Sequence, residues 1–177
     1  MNDSHSTFEQ NITFIREAID EIVKPAENGS YSEDSQRLYR ARKFGWIREL
    51  IEQVQHSKTP VNNRNKCEVV VFLTVDELKL VRSLKRFNRY EFFYWEKKTI
   101  KSLYAITQSK DTTVENVASK IITVLTENKA YAQEPKLLKE LWEKLSKDCN
   151  QLSLVEAEAS FKASAEKITV PSPPTTT

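Results

Sequence analysis

Two glycines, Gly29 and Gly45, serve the whole 177-residue chain. Average usage, near 7%, would give about a dozen. Glycine supplies the positive-φ backbone that tight turns and close approach to phosphates need. Its scarcity excludes a GxGxxG dinucleotide turn, a GxxxxGK[ST] phosphate loop and a GxSxG nucleophile elbow. It also argues against a loop-rich β-sandwich, which must turn many times. A chain that turns this rarely points to helices.

Apolar spacing supports that reading. Phe8, Ile12, Ile15, Ile19 and Ile22 step by 4, 3, 4 and 3 and mark one narrow face of a helix over 7–23. Ser6 or Thr7 suits its cap, and Pro25 with Gly29 ends it. The 4–3 seam is that of helices packed side by side, here a partner helix in an intramolecular hairpin or in a second copy. A second helix is expected from about 33 to 58. Its stripe of Phe44, Ile47, Ile51 and Val54 turns basic at Arg40 and Arg37 when followed backwards. Gly45 falls inside it, at a cost of about 1 kcal/mol relative to Ala, and is expected to mark a kink or a close helix contact.

Residues 59–66 read as a polar loop. CEVVVFL, at 67–73, suits either a short buried strand or the start of a helix. Thr74 with Glu77 forms a capping-box pattern that predicts a helix from Val75 to about Phe87. RYEFFYWEKK then either pairs with CEVVVFL or continues as helix, and its unbroken aromatics tilt it towards strand. Helices follow at 112–128, 134–148 and 152–168, the second with Pro135 in its first turn. The expected fold is mainly α, a compact bundle of five to six helices, with a small two-stranded element at 67–73 and 90–96 left open. Residues 1–150 make one helical domain, 151–168 a C-terminal amphipathic helix, and 169–177 a disordered tail rich in proline and threonine.

Enzyme chemistry finds little support. His5 lies near the N-terminus, and His56 near a helix end has no orienting partner at a useful spacing. Cys67 and Cys149 form no CxxC pair. Cys149 sits near a helix C-terminus, whose carbonyls raise a thiol pKa. Carboxylate pairs such as Glu17 with Asp20 or Glu21, and Glu140 with Glu143, fit solvated helix faces. No cofactor or metal site is expected. The N-terminus lacks a signal-peptide pattern and no apolar run nears the ~20 residues of a membrane span, so an intracellular, cytoplasmic location is expected.

The charge pattern is more informative. Residues 1–35 hold eight acids and two bases, for −6; residues 36–101 hold sixteen bases and seven acids, for +9; the remainder nets −1. Every arginine except Arg16 lies in the middle. One basic cluster is Arg37, Arg40, Arg42, Lys43 and Arg48; the other is Lys79, Arg82, Lys85, Arg86 and Arg89. Rows of arginine suit phosphates, and Tyr90, Phe93, Tyr94 and Trp95 beside the second row suit stacking on unpaired bases. The plain structural reading is that these charges pair internally and the aromatics form core. The expectation is a non-enzymatic RNA- or single-stranded-DNA-binding subunit of a larger assembly. The alternative is a helical interaction or scaffold module that oligomerises through its first helix.

Overall fold

The computed structural model describes residues 7–23, 45–56, 61–84, 87–108 and 112–169. Among them the chain forms eight α-helices: α1 (Phe8–Val23), α2 (Trp46–His56), α3 (Asn63–Glu77), α4 (Arg89–Ala105), α5 (Val114–Thr126), α6 (Lys129–Ala132), α7 (Pro135–Gln151) and α8 (Val155–Lys167). Two 3₁₀ turns, Leu78–Ser83 and Ile106–Gln108, follow α3 and α4. No strand occurs among the described residues.

α3 is the axis of the fold. All eleven residues from Cys67 to Glu77 are buried. α2, α4, α5 and α7 pack around it. α1 lies against α2 and α4 on one side, while α8 lies against α7 and α5 on the other. One continuous core joins them, from Ile12, Ile15 and Ile19 through Val70 and Leu73 to Trp142 and Phe161.

The two-stranded element is therefore replaced by helix. Residues 67–73 lie inside α3 and 90–96 inside α4. A helix covered on every side needs no polar face, so its sequence reads as a continuous apolar run. Its true start is set by Asn62, whose side chain accepts from the Asn65 N–H at 2.8 Å. Thr74 does not start a helix: its hydroxyl donates to the Val70 carbonyl one turn back, at 2.9 Å, in mid-helix. α4 is started by Asn88, which accepts from the Glu91 N–H at 2.8 Å and donates to the Glu91 carboxylate at 2.9 Å.

Other boundaries follow their residues. Thr7 and Gln10 form a reciprocal capping box at α1, at 2.9 and 3.2 Å. Thr113 caps α5 by accepting from the Asn116 N–H at 3.1 Å. Pro135 occupies the first turn of α7. Gly45 has φ +73, which a right-handed helix cannot contain, so α2 begins at Trp46 instead of running through from residue 33. A Cβ at Gly45 would meet nothing within 4 Å among the described residues, so no close contact with their helices explains it. The first half of that expected helix, Gly29 and residues 170–177 of the tail lie outside the described residues.

Candidate nucleic-acid interface

Several of the basic residues that define the candidate interface lie outside the described set: Arg37, Arg40, Arg42, Lys43, Lys85 and Arg86. For Arg82, in the 3₁₀ turn, and for Arg89, Tyr90 and Phe93, in α4, the backbone alone is described. The same holds for Ile22 in α1.

Arg48 and Lys79 are drawn to carboxylates. α3 ends on Asp76 and Glu77, whose side chains are 3% exposed, with no base of its own in the last turn. Carboxylates at a helix C-terminus meet unfavourable carbonyl dipoles, so cations must come from elsewhere. Arg48, from α2, sends Nη2 to Asp76 Oδ2 at 2.9 Å and to Glu77 Oε1 at 2.7 Å. Lys79 reaches Asp76 at 3.3 Å, and Lys144 from α7 approaches Glu77 at 3.9 Å. Asp148, also on α7, lies 3.9 Å from Arg48. Burial opposes the Arg48 charge, but Asp76, Asp148 and Glu77 together hold its pKa above the ordinary value. Burial pushes the Asp148 carboxyl up; Arg48 opposes that shift, and the Glu77 and Asp76 charges add to it. This network joins α2, α3 and α7.

A second internal pair fixes α1. Arg16 grips Glu68 in bidentate fashion, both contacts at 2.6 Å, and donates to Asn65 at 3.3 Å. Ile12, Ile15 and Ile19 are buried in this chain's own core beside α2 and α4. Phe8 packs at the edge of that core.

Of the aromatic candidates, Trp95 is built into the fold. Its indole N–H donates to Asn128 Oδ1 at 2.7 Å, and its ring packs beside Phe87, Phe92 and Tyr131 at 5.8 to 6.0 Å. Asn128 also donates to Thr99 Oγ1 and caps α6, so one amide anchors the inner side of α4. Tyr94, the neighbouring residue, is 57% exposed.

The inward positions of α4 are Phe92, Glu96, Thr99, Ile100 and Leu103, all buried. The outward positions include Tyr94, Lys98 and Lys101, all exposed. Spacings of four and seven residues place these three on one face. Neither lysine forms an ion pair with a described residue. Lys98 and Lys101 escaped sequence reasoning because a strand at 90–96 separates them from Tyr94; helical spacing from Tyr94 is the signal that finds them.

Nucleophilic and metal chemistry gain nothing from the geometry. Cys149 is fully buried, and burial first, then Asp148 and Glu158, pushes its thiol up to about 12. Cys67 is buried and its thiol is also raised, first by desolvation. Among the described residues, no three His, Cys, Asp or Glu side chains gather as metal ligands. No helix among them is long and apolar enough to cross a membrane. No family model matches the chain, and neither curated proteins nor solved structures give a match.

Proposed function

We propose that this protein is a non-enzymatic nucleic-acid-binding subunit that holds phosphates through the basic middle of its chain. The observation that carries the reading is the sorting of charge along 79–101. That stretch has eight bases and two acids. Glu96 is buried and Glu91 is engaged by the Asn88 side chain, while Lys98 and Lys101 are outward and unpaired among the described residues. A surface that buries or engages its acids and displays its bases attracts polyanions and releases their counterions on contact. Arg48 and Lys79 contribute to the fold in this reading, through Asp76 and Glu77.

The test is binding of the full chain to single-stranded and duplex oligonucleotides over a salt series. Affinity should fall linearly on a log–log plot. Absence of binding, or binding with no salt slope, rejects the reading. Reversal of Arg82 and Arg86 to Glu should abolish binding and leave the melting midpoint in place.

A second reading, an interaction module that uses α1, is favoured by one feature. Phe14, on the outer side of α1, is 37% exposed and packs on Trp46 at 5.2 Å. In this version the isoleucine seam serves the chain's own core and Phe14 faces the partner. A concentration-dependent dimer in light scattering, lost in Phe14→Ser, together with no affinity for nucleic acid, would favour it over the first.

A further inference from the structure

We propose that the groove between α2 and α4, which α1 fills, is a receptor for an amphipathic helix of another protein, with α1 as its tethered stand-in. The partner helix repeats the α1 seam. It carries an aliphatic side chain where α1 has Asn11 and an arginine where α1 has Arg16. This surface is separate from the nucleic-acid reading and does not depend on it.

α1 is built as a separable unit. Thr7 and Gln10 cap it from within its own first turn. Residues 24–45 stand between it and α2, far more than the roughly two to five residues of a helical hairpin turn. It docks through one face: Ile12, Ile15 and Ile19 are buried in the core to which α2 brings Ile47, Leu50 and Ile51. Anchors three and four residues apart are how a helix lies in an apolar groove.

The fit of α1 is imperfect at one place. Asn11, 0% exposed, stands beside the seam towards α2. Its amide donates to Gln53 Oε1 at 3.0 Å, but its own Oδ1 is buried with no hydrogen-bond partner among the described residues. A buried acceptor left unmatched weakens docking by about five- to hundredfold. An intramolecular helix enjoys an effective concentration up to about millimolar, so an outside helix displaces it only with a better fit. Asn11 is where that improvement is available. The second constraint is electrostatic. Glu68, on α3 beneath the groove, is buried and takes two hydrogen bonds from Arg16, each at 2.6 Å. A buried carboxylate that loses its guanidinium is left charged and unpaired, which is strongly unfavourable. The occupant must therefore bring an arginine in register, and a helix with the aliphatic seam alone is rejected.

The experiment titrates the full chain into fluorescein-labelled peptides of residues 7–23. The parent peptide reproduces α1 and sets the baseline. Asn11→Leu in the peptide should tighten binding by about tenfold, and Arg16→Glu added to it should remove binding. Gln53 is half-buried, so its oxygen reaches water once Asn11 is replaced. Asn11→Leu in the full chain should raise its melting midpoint and weaken capture of the Asn11→Leu peptide by about the same factor, because the stand-in then matches its competitor. No binding of the Asn11→Leu peptide up to about millimolar overturns the proposal. Capture indifferent to the substitution in the chain also overturns it, since the peptide then sits elsewhere. A lower melting midpoint of that chain would make Asn11 a favourable contact and do the same. Parent peptide binding as tightly as its variant would make a second copy of this chain the occupant, against the proposal.

Discussion

At the scale of single residues, the shortage of glycine decides where the backbone is strained. Gly45 occupies its positive φ at no steric cost. The turn from α7 to α8 has no glycine, and Ser153 takes φ +59 there. The turn is a Schellman motif: the Leu154 N–H donates to the Cys149 carbonyl at 2.9 Å, and the Ser153 N–H to the Asn150 carbonyl at 3.1 Å. Its left-handed position is where most proteins place glycine. Opposite substitutions should therefore act in opposite directions. Gly45→Ala fits the space but not the dihedral, and should lower stability by about 1 kcal/mol. Ser153→Gly relieves the left-handed cost and loses some unfolded-state restriction, for a net gain of about 0.5 kcal/mol. Urea midpoints with unchanged slopes would check both. A stabilised Gly45→Ala would mean that the native φ is not maintained in solution.

At the scale of elements, the amphipathic helices were legible in the sequence and the central ones were not. α1, α5, α7 and α8 each show an apolar stripe against a polar face, and their expected limits agree with the observed ones to within a few residues. α3 has no such stripe, because every residue from Cys67 to Glu77 is inside. Its β-branched run at 69–71 then imitates a strand. α4 hides its period differently: a glutamate, Glu96, stands at an inward position, and the aromatics at 92–95 occupy several faces. The role of Arg48 was unreadable for a related reason, since its carboxylates are distant along the chain; Lys79 stands three residues from Asp76, but the row of bases that follows it drew the reading outward. These pairings have measurable consequences. Arg48→Ala leaves Asp76 and Glu77 buried, with Lys79 and Lys144 as the remaining cations on them among the described residues. Removing one partner of a buried pair costs about 3–5 kcal/mol, but Arg48 is half-exposed and Lys79 and Lys144 remain, so about 2–3 kcal/mol is expected. Asp148 behaves in the opposite sense. Its folded pKa is raised, so the native state holds its proton more tightly than the unfolded chain does. Its contribution is favourable below the unfolded carboxylate value and is lost as pH rises through the folded one. Asp148→Asn should therefore stabilise the protein at about pH 7 and make less difference near about pH 4. Chemical denaturation at the two pH values tests this, and an equal effect at both would contradict it.

At the scale of the whole molecule, the question is whether α8 is an appendage or part of the core. The sequence shows a weak, alanine-rich helix after residue 150, which suits either role. In the structure its inner face is Ala157, Phe161 and Ala165, all buried, and it packs on both α7 and α5. The alanines let its backbone approach closely, and Phe161 stacks on Trp142 with ring centroids 5.6 Å apart and planes 15° apart. Both rings are fully buried, and they sit in the same cluster as α3. The helix adds a lysine–carbonyl bond, Lys139 to Ile168 at 3.1 Å, which ties its end back to α7. A small apolar face of this kind has little stability alone and gains it on docking, while α7 and α5 would lose the cover of their apolar sides without it. Phe161→Ala should cost about 3–4 kcal/mol, through lost burial and the cavity left under Trp142. Ending the chain at Leu154 should go further and remove the cooperative thermal transition, with loss of the near-ultraviolet signal of Trp142. A shortened chain that melts at the parent midpoint would show that α8 rests on a core already complete. Cooperative loss would show that the core needs the last helix, and that the basic face of α4 is held in place by a domain extending through Lys167.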